Sequence, residues 1–283
     1  MLATMQLGRW TRSIFAMWLG TLLGMAADQK VEVAPGLTGA WNRPTSGWDG
    51  RTVLLFHGLA QDMDEVGDLH KKLAARLAER GVASLRVNFR GEGDRGRTNI
   101  ESTFTTRLAD AVSARAFVLR QEGARADRLG VVGFSLGSAT AIETGGRHPD
   151  WFRTLVLWSS PSGKVFDYLM TRPDAQAAMR DGVGCDNVPG WKPVYTRREF
   201  YESFRGFDLD QSLARFPGPV LSIRGSEDFL PRRDVEMLNA APGRPREAVL
   251  LGGADHIFHV FQPELGYEQR VLDLTESWLL KHL

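Results

Sequence analysis

The chain has 283 residues, 43% of them hydrophobic and 10% aromatic, with a formal net charge of +1 and a single cysteine, Cys185. That apolar content excludes a disordered chain and suits one large α/β domain or two small ones. The near-neutral charge gives no electrostatic case for nucleic acid or an anionic membrane surface, and one cysteine excludes a disulfide framework or a cysteine-built metal site.

The N-terminus reads separately from the rest. Arg9 and Arg12 precede the uncharged run "SIFAMWLGTLLGMAA", and small residues lead up to the first acid, Asp28. This is the layout of a secretory signal peptide over residues 1–27, cleaved near Ala26 or Ala27. The run is short for a membrane span, which needs roughly 20 residues. The mature protein is therefore expected outside the cytoplasm, periplasmic or secreted, with no stable membrane span. The alternative is an uncleaved leader acting as an anchor. Losing Arg9 and Arg12 changes the formal charge from +1 to −1.

From residue 28 onward the pattern is one domain, 28–283. Two short extended segments, "KVEV" and "LTGAW", come first. "RTVLLF" is a continuous apolar run of the kind buried on both faces of a parallel sheet. "DEVGDLHKKLAARLAERG" predicts a helix capped by Asp62 or Asp64, with Val66, Leu69, Leu73 and Leu77 as its apolar stripe and His70 on the surface. Strands at "VASLRVNF", "RLGVVG" and "RTLVLWSS" alternate with helices at "ESTFTTRLADAVSARAFVLRQEG" and "LGSATAIETGG". Residues 160–217 then lack a clear strand and read as a lid inserted on the sheet. Alternation resumes with "GPVLSIRG", a helix around "RRDVEMLNAA", "REAVLLGG" and a last helix "YEQRVLDLTESWLLKHL". This rhythm predicts a mostly parallel sheet with helices on both faces.

In such sheets chemistry gathers at the carboxyl ends of the strands. There, Gly133-Phe134-Ser135-Leu136-Gly137 stands between a strand and a helix with no loop residues to spare. A turn that sharp needs small flanking residues, and it presents Ser135 at the positive end of the next helix. A serine hydroxyl needs a base, and the base needs an orienting acid. Of six histidines, His256 follows the last strand and is the expected base. Asp228, after "VLSIRGSE", is the expected acid, with Glu227 as the alternative. Asp255 reads as loop-shaping, and His259 as facing solvent or the lid. The backbone N–H groups of Leu59, in "HGL", and of Leu136 are the expected oxyanion donors, with His57 bracing the first of these loops. Trp158, ending "TLVLW", and Phe229 are candidates for the substrate pocket. Ser138 lies inside the helix and has no assigned chemistry.

"LLFHGLAQD", "VNFRGEGD", "VGFSLGSA", "RGSEDFLP" and "GADHIF" together resemble five landmarks of α/β-hydrolase-fold serine hydrolases, over Val53 to Phe258. The closest resemblance is to the serine aminopeptidase-like branch that includes monoacylglycerol lipases and feruloyl esterases. It implies an α/β-hydrolase fold, Ser135, Asp228 and His256 as a triad, a small-molecule ester as substrate, and no cofactor or metal. Arg95 stands where related enzymes often carry a small residue. A serine peptidase or amidase with the same triad is the first alternative, and a non-catalytic binding protein on the same fold is the second.

One other signal competes. "GEGDRG", Gly91 to Gly96, satisfies G-x-G-x-x-G after a strand, but "RTNIES" intervenes before the next helix and Asp110 lies within that helix. A dinucleotide site needs the helix to open inside the glycines, so the stretch reads as a loop.

Overall fold

The computed structural model describes residues 28–93, 98–187 and 192–283. The expected leader and the second half of "GEGDRG", Arg95 included, lie outside these described residues. The chain opens with a hairpin, β1 (Asp28–Ala34) and β2 (Leu37–Asn42). There follow β3 (Thr52–Phe56), α1 (Leu69–Glu79), β4 (Ala83–Asn88), the two-residue β5 (Asn99–Ile100), α2 (Phe104–Leu119), β6 (Leu129–Phe134), α3 (Leu136–Arg147) and β7 (Thr154–Trp158). Between 160 and 217 come α4 (Val165–Leu169), α5 (Pro173–Asp181), β8 (Val183–Asp186), β9 (Val194–Arg197), α6 (Arg198–Glu202) and α7 (Leu209–Leu213). The chain closes with β10 (Val220–Gly225), α8 (Asp234–Ala240), β11 (Arg246–Leu251) and α9 (Tyr267–His282).

Eight strands form one sheet in the order β1-β2-β4-β3-β6-β7-β10-β11. The β1–β2 and β2–β4 pairs are antiparallel and the remaining pairs parallel. The α/β expectation therefore holds. Side chains alternate between two cores, as the period-2 geometry of a strand requires. Leu54, Phe56, Leu155 and Leu157 join the core under α2 and α3, whereas Val53, Leu55, Val156 and Trp158 join the core under α1 and α9. Each fully buried Leu or Phe contributes roughly 1.5–3 kcal/mol relative to exposure, so the continuous runs β3, β6 and β7 fix the centre of the sheet.

The last helix is fastened to β7 twice. Trp158 Nε1 donates to Thr275 Oγ1 at 2.9 Å, and Trp278 Nε1 donates to Thr154 Oγ1 at 2.7 Å. Each partner thus supplies one tryptophan and one threonine.

Three local expectations change. The 160–217 segment does contain strands: β8 and β9 pair antiparallel, and β9 pairs parallel with β5 in a separate three-stranded sheet. At four residues each, and polar in part, they leave no apolar run to read. His70 is fully buried, not on the surface, because the Trp158 ring covers it at 5.6 Å. Asp64 does not cap α1: Asp68 occupies that position, and Asp64 pairs with the buried Arg86 guanidinium.

Candidate active site

The carboxyl ends of β3, β6, β10 and β11 meet at one edge of the sheet. β6 and α3 join through Ser135 alone, whose backbone stands at φ 51°, ψ −116°. A non-glycine residue held there carries about 1–3 kcal/mol of strain. The surroundings impose it: the Ser135 N–H donates to the Trp158 carbonyl at 2.8 Å. A Cβ on Gly133 would lie 2.4 Å from the Gly137 carbonyl carbon, and one on Gly137 would lie 1.9 Å from the Phe56 carbonyl oxygen. Both glycines are therefore demanded by close backbone approach. Ser138, one turn into α3, is spent internally: its hydroxyl donates to Gly133 O at 2.6 Å.

The loops after β10 and β11 bring two further groups to Ser135. His256 Nε2 lies 3.1 Å from Ser135 Oγ, and His256 Nδ1 lies 2.7 Å from Asp228 Oδ1. The Asp228 carboxyl is fully buried. Burial alone would raise its pKa, but the His256 hydrogen bond and charge, the Leu230 N–H and the Arg224 guanidinium outweigh burial and hold it below the usual carboxylate value. An ionised Asp228 keeps the ring proton on Nδ1 and leaves Nε2 free to accept the serine proton. Phe229 packs on the imidazole with ring centres 4.3 Å apart, and Phe134 lies on it at 5.2 Å. The His256 carbonyl accepts the Ser159 hydroxyl at 2.8 Å, tethering the loop.

Ser135, His256, Leu59, Leu136 and Phe229 all line one cavity of about 560 Å³. The N–H groups of Leu59 and Leu136 have no protein acceptor among the described residues. Tyr168, Leu169, Phe200, Tyr201 and Phe204, from the 160–217 segment, make much of its apolar wall. The same wall has one polar patch, where Arg172 pairs with both Asp174 and Asp186 and the Tyr201 hydroxyl donates to Asp174.

Trp158, expected at the substrate pocket, does not line this cavity. It is wholly buried, points to the α1 and α9 side of the sheet and spends its N–H on Thr275. Glu227 is exposed and touches the cavity rim but makes no bond to His256, whereas Asp228 does. Asp255 accepts the N–H groups of Ile257 and His259, so it shapes the loop. His259 turns its Nε2 to the Gly253 carbonyl at 3.0 Å, away from the serine. His57 accepts the Phe89 N–H at Nε2 (3.1 Å) and directs Nδ1 at the Gly58 carbonyl (2.7 Å), a bonding pattern that requires the neutral ring. Burial, reinforced by Arg107, pushes its pKa down to about 4. In the described part of "GEGDRG" no helix opens, since α2 begins at Phe104. Among the described residues no group of three or more His, Cys, Asp or Glu could hold a metal ion, and no helix is long and apolar enough to cross a membrane.

Sequence reasoning missed Arg224. This buried guanidinium donates to Asp228 Oδ2 at 2.7 Å and to Asp234 Oδ2 at 2.5 Å, and reaches the Ser160 carbonyl. It fixes the far oxygen of Asp228 while His256 takes the near one. The available signal was a charge inside the otherwise apolar strand "VLSIRG", four residues before the acid.

A family model described as serine aminopeptidase, S33, matches residues 50–181. An uncharacterized protein of Mycobacterium tuberculosis is 29% identical over 263 residues, covering 92% of this chain and 81% of its own length. Among solved structures, Est1E from Butyrivibrio proteoclasticus with bound ferulic acid matches with a TM-score of 0.72 at 13% identity, over 90% of this chain and 98% of that one. The esterase domain of a Rhodothermus marinus protein matches with a TM-score of 0.64 at 18% identity, over 89% and 96%.

Proposed function

Because the chain has the α/β-hydrolase fold, we propose that it is a serine hydrolase cleaving small-molecule carboxylic esters through an acyl-enzyme. The observation that carries this reading is the hydrogen-bonded line from Asp228 through His256 to Ser135 on the wall of a largely apolar cavity. In the first half-reaction Ser135 Oγ attacks the ester carbonyl and its proton passes to His256 Nε2. The oxyanion that forms is held by the N–H groups of Leu59 and Leu136. Collapse expels the alcohol, which takes the proton from His256, and water repeats the sequence on the acyl-serine. Asp228 stabilises the transient imidazolium, and Arg224 keeps Asp228 in place.

The 160–217 segment serves as the cover of the acyl pocket, a role supported by its aromatic contribution to the wall. The leader over residues 1–27 directs export. A peptidase acting on a free N-terminal amine would need unpaired acids. The two acids on the 160–217 wall, Asp174 and Asp186, are both engaged by Arg172, so that wall offers no free carboxylate to an amine.

The test is hydrolysis of short- and long-chain p-nitrophenyl esters, with labelling by a fluorophosphonate probe, for wild type and Ser135→Ala. Wild type should turn over ester and label, and Ser135→Ala should do neither. Wild-type turnover by Ser135→Ala rejects the nucleophile. An inert, unlabelled wild type instead favours a binding protein on this fold.

A further inference from the structure

Three successive backbone N–H groups after β3 meet different fates. The Gly58 N–H donates to Glu65 Oε2 at 2.6 Å, and the Ala60 N–H donates to Glu92 Oε2 at 3.0 Å. The Leu59 N–H between them has no acceptor among the described residues, and Leu59 lines the cavity that holds Ser135. The two carboxyl groups come from separate parts of the chain, one ahead of α1 and the other from the loop after β4, and both side chains are buried.

Each is fixed in turn. Glu65 Oε1 accepts the Val66 N–H at 2.8 Å. Glu92 Oε1 accepts the Ser102 hydroxyl at 2.6 Å and Arg107 Nη1 at 2.5 Å. Arg107, also fully buried, reaches the His57 carbonyl with its other terminal nitrogen and lies over the Phe89 ring at 3.8 Å. Burying carboxyl groups is costly unless hydrogen bonds compensate. Packing alone would be met more cheaply by apolar side chains, so the acceptor chemistry at these two positions calls for a reason. The loop also needs outside support, because Ala60 sits at φ 60° and Glu65 at φ 65°, a region that strains residues other than glycine.

We propose that Glu65 and Glu92 are positioning residues that clamp the N–H groups on either side of Leu59 and thereby hold the Leu59 N–H as a fixed oxyanion donor. The inference rests on the reading of Ser135 as an ester-cleaving nucleophile. The clamp explains why a loop with three adjacent donors offers only one to the cavity: its neighbours are already bonded on the protein side. Arg107 links Glu92 to His57, so the Ala60 N–H and the His57 carbonyl share one buried network.

Removal and conservative replacement separate positioning from mere packing. Glu65→Ala and Glu92→Ala delete the acceptor, while Glu65→Gln and Glu92→Gln keep one oxygen to accept the same N–H. With p-nitrophenyl esters each alanine variant should lose about 100-fold in kcat, with KM within roughly 3-fold of wild type, which is the scale of one oxyanion donor. Each glutamine variant should recover most of that loss. Amide exchange gives a readout independent of turnover: the Gly58 and Ala60 amides should be protected in wild type, and the one concerned should lose protection in its alanine variant. The proposal is overturned if an active wild type and its alanine variants share the same kcat, or if the Gly58 and Ala60 amides of the folded wild type exchange like an open loop. If an alanine variant does not fold, wild-type amide exchange decides. A wild type that neither turns over ester nor labels at Ser135 fails the ester reading instead, and the donor role falls with it even if both amides are protected.

Discussion

Two buried titratable groups under the donor loop should pull stability in opposite directions as pH changes. His57 is pushed down to about 4 by burial and Arg107, partly offset by Glu92, the Gly58 carbonyl and Asp62. Between about pH 6.5 and 4 the unfolded imidazole binds a proton that the native ring refuses, so this group's contribution to stability is lost as pH falls. Glu65 is pushed up to about 7 by burial, with the Gly58 and Val66 N–H groups and Arg107 pulling back and Asp62 adding to the rise. Between about pH 7 and 4.5 its native carboxyl binds a proton that the unfolded one does not, so this contribution is gained as pH falls. Each shift is worth about 3 kcal/mol at 1.36 kcal/mol per unit. The two windows overlap, and in wild type the two slopes largely cancel. Single substitutions expose them. Unfolding by urea, followed by tryptophan fluorescence, gives stability relative to wild type at each pH. Glu65→Gln should lose about 3 kcal/mol relative to wild type as pH drops from about 7 to 4.5. His57→Gln should gain about as much from about 6.5 to 4, whatever its constant offset. Curves that stay parallel to wild type within about 0.5 kcal/mol would refute both assignments.

Two more outcomes test the wider reading. Asp228→Asn should cut kcat by roughly 10⁴-fold, because an amide leaves the His256 ring proton on the wrong nitrogen, whereas Glu227→Gln should leave turnover near wild type; equal losses would reject Asp228 as the orienting acid. N-terminal sequencing of exported protein should begin after Ala26 or Ala27, and a start at Met1 would reject cleavage of the leader.

Most of the sheet and the meeting of Ser135, Asp228 and His256 were legible for one reason. Parallel strands bring their carboxyl ends to one edge, so residues directly after the apolar runs "RLGVVG", "GPVLSIRG" and "REAVLLGG" are bound to converge. Trp158 was misplaced because a strand buried on both faces shows no polar alternation, and its parity, which sends it under α9, is invisible in "TLVLW". His70 was misplaced for a related reason. The leucine stripe of α1 marks which face packs on the sheet, but not how far an unseen tryptophan extends the cover. Asp64 was read as a cap because its partner, Arg86, lies on another strand. Arg224, Glu65, Glu92 and Arg107 are charged residues made tolerable in the interior by partners found in three dimensions, and chain position alone gives no account of such pairing. β8 and β9 are too short to carry a pattern.

The double fastening of β7 to α9 has a consequence for how the protein is made. β7 is synthesised more than a hundred residues before Thr275 and Trp278. Until they arrive, the Trp158 indole lacks its native acceptor, while the Thr154 hydroxyl can donate to the Pro219 carbonyl but lacks the indole it accepts from; an unmade hydrogen bond at a buried site costs about 1–3 kcal/mol. A growing chain can therefore build its strands in order and still remain unlatched at the centre of its sheet. The latch closes only once Thr275 and Trp278 have packed on β7, so the centre of the sheet is completed last although its strands come early in the chain.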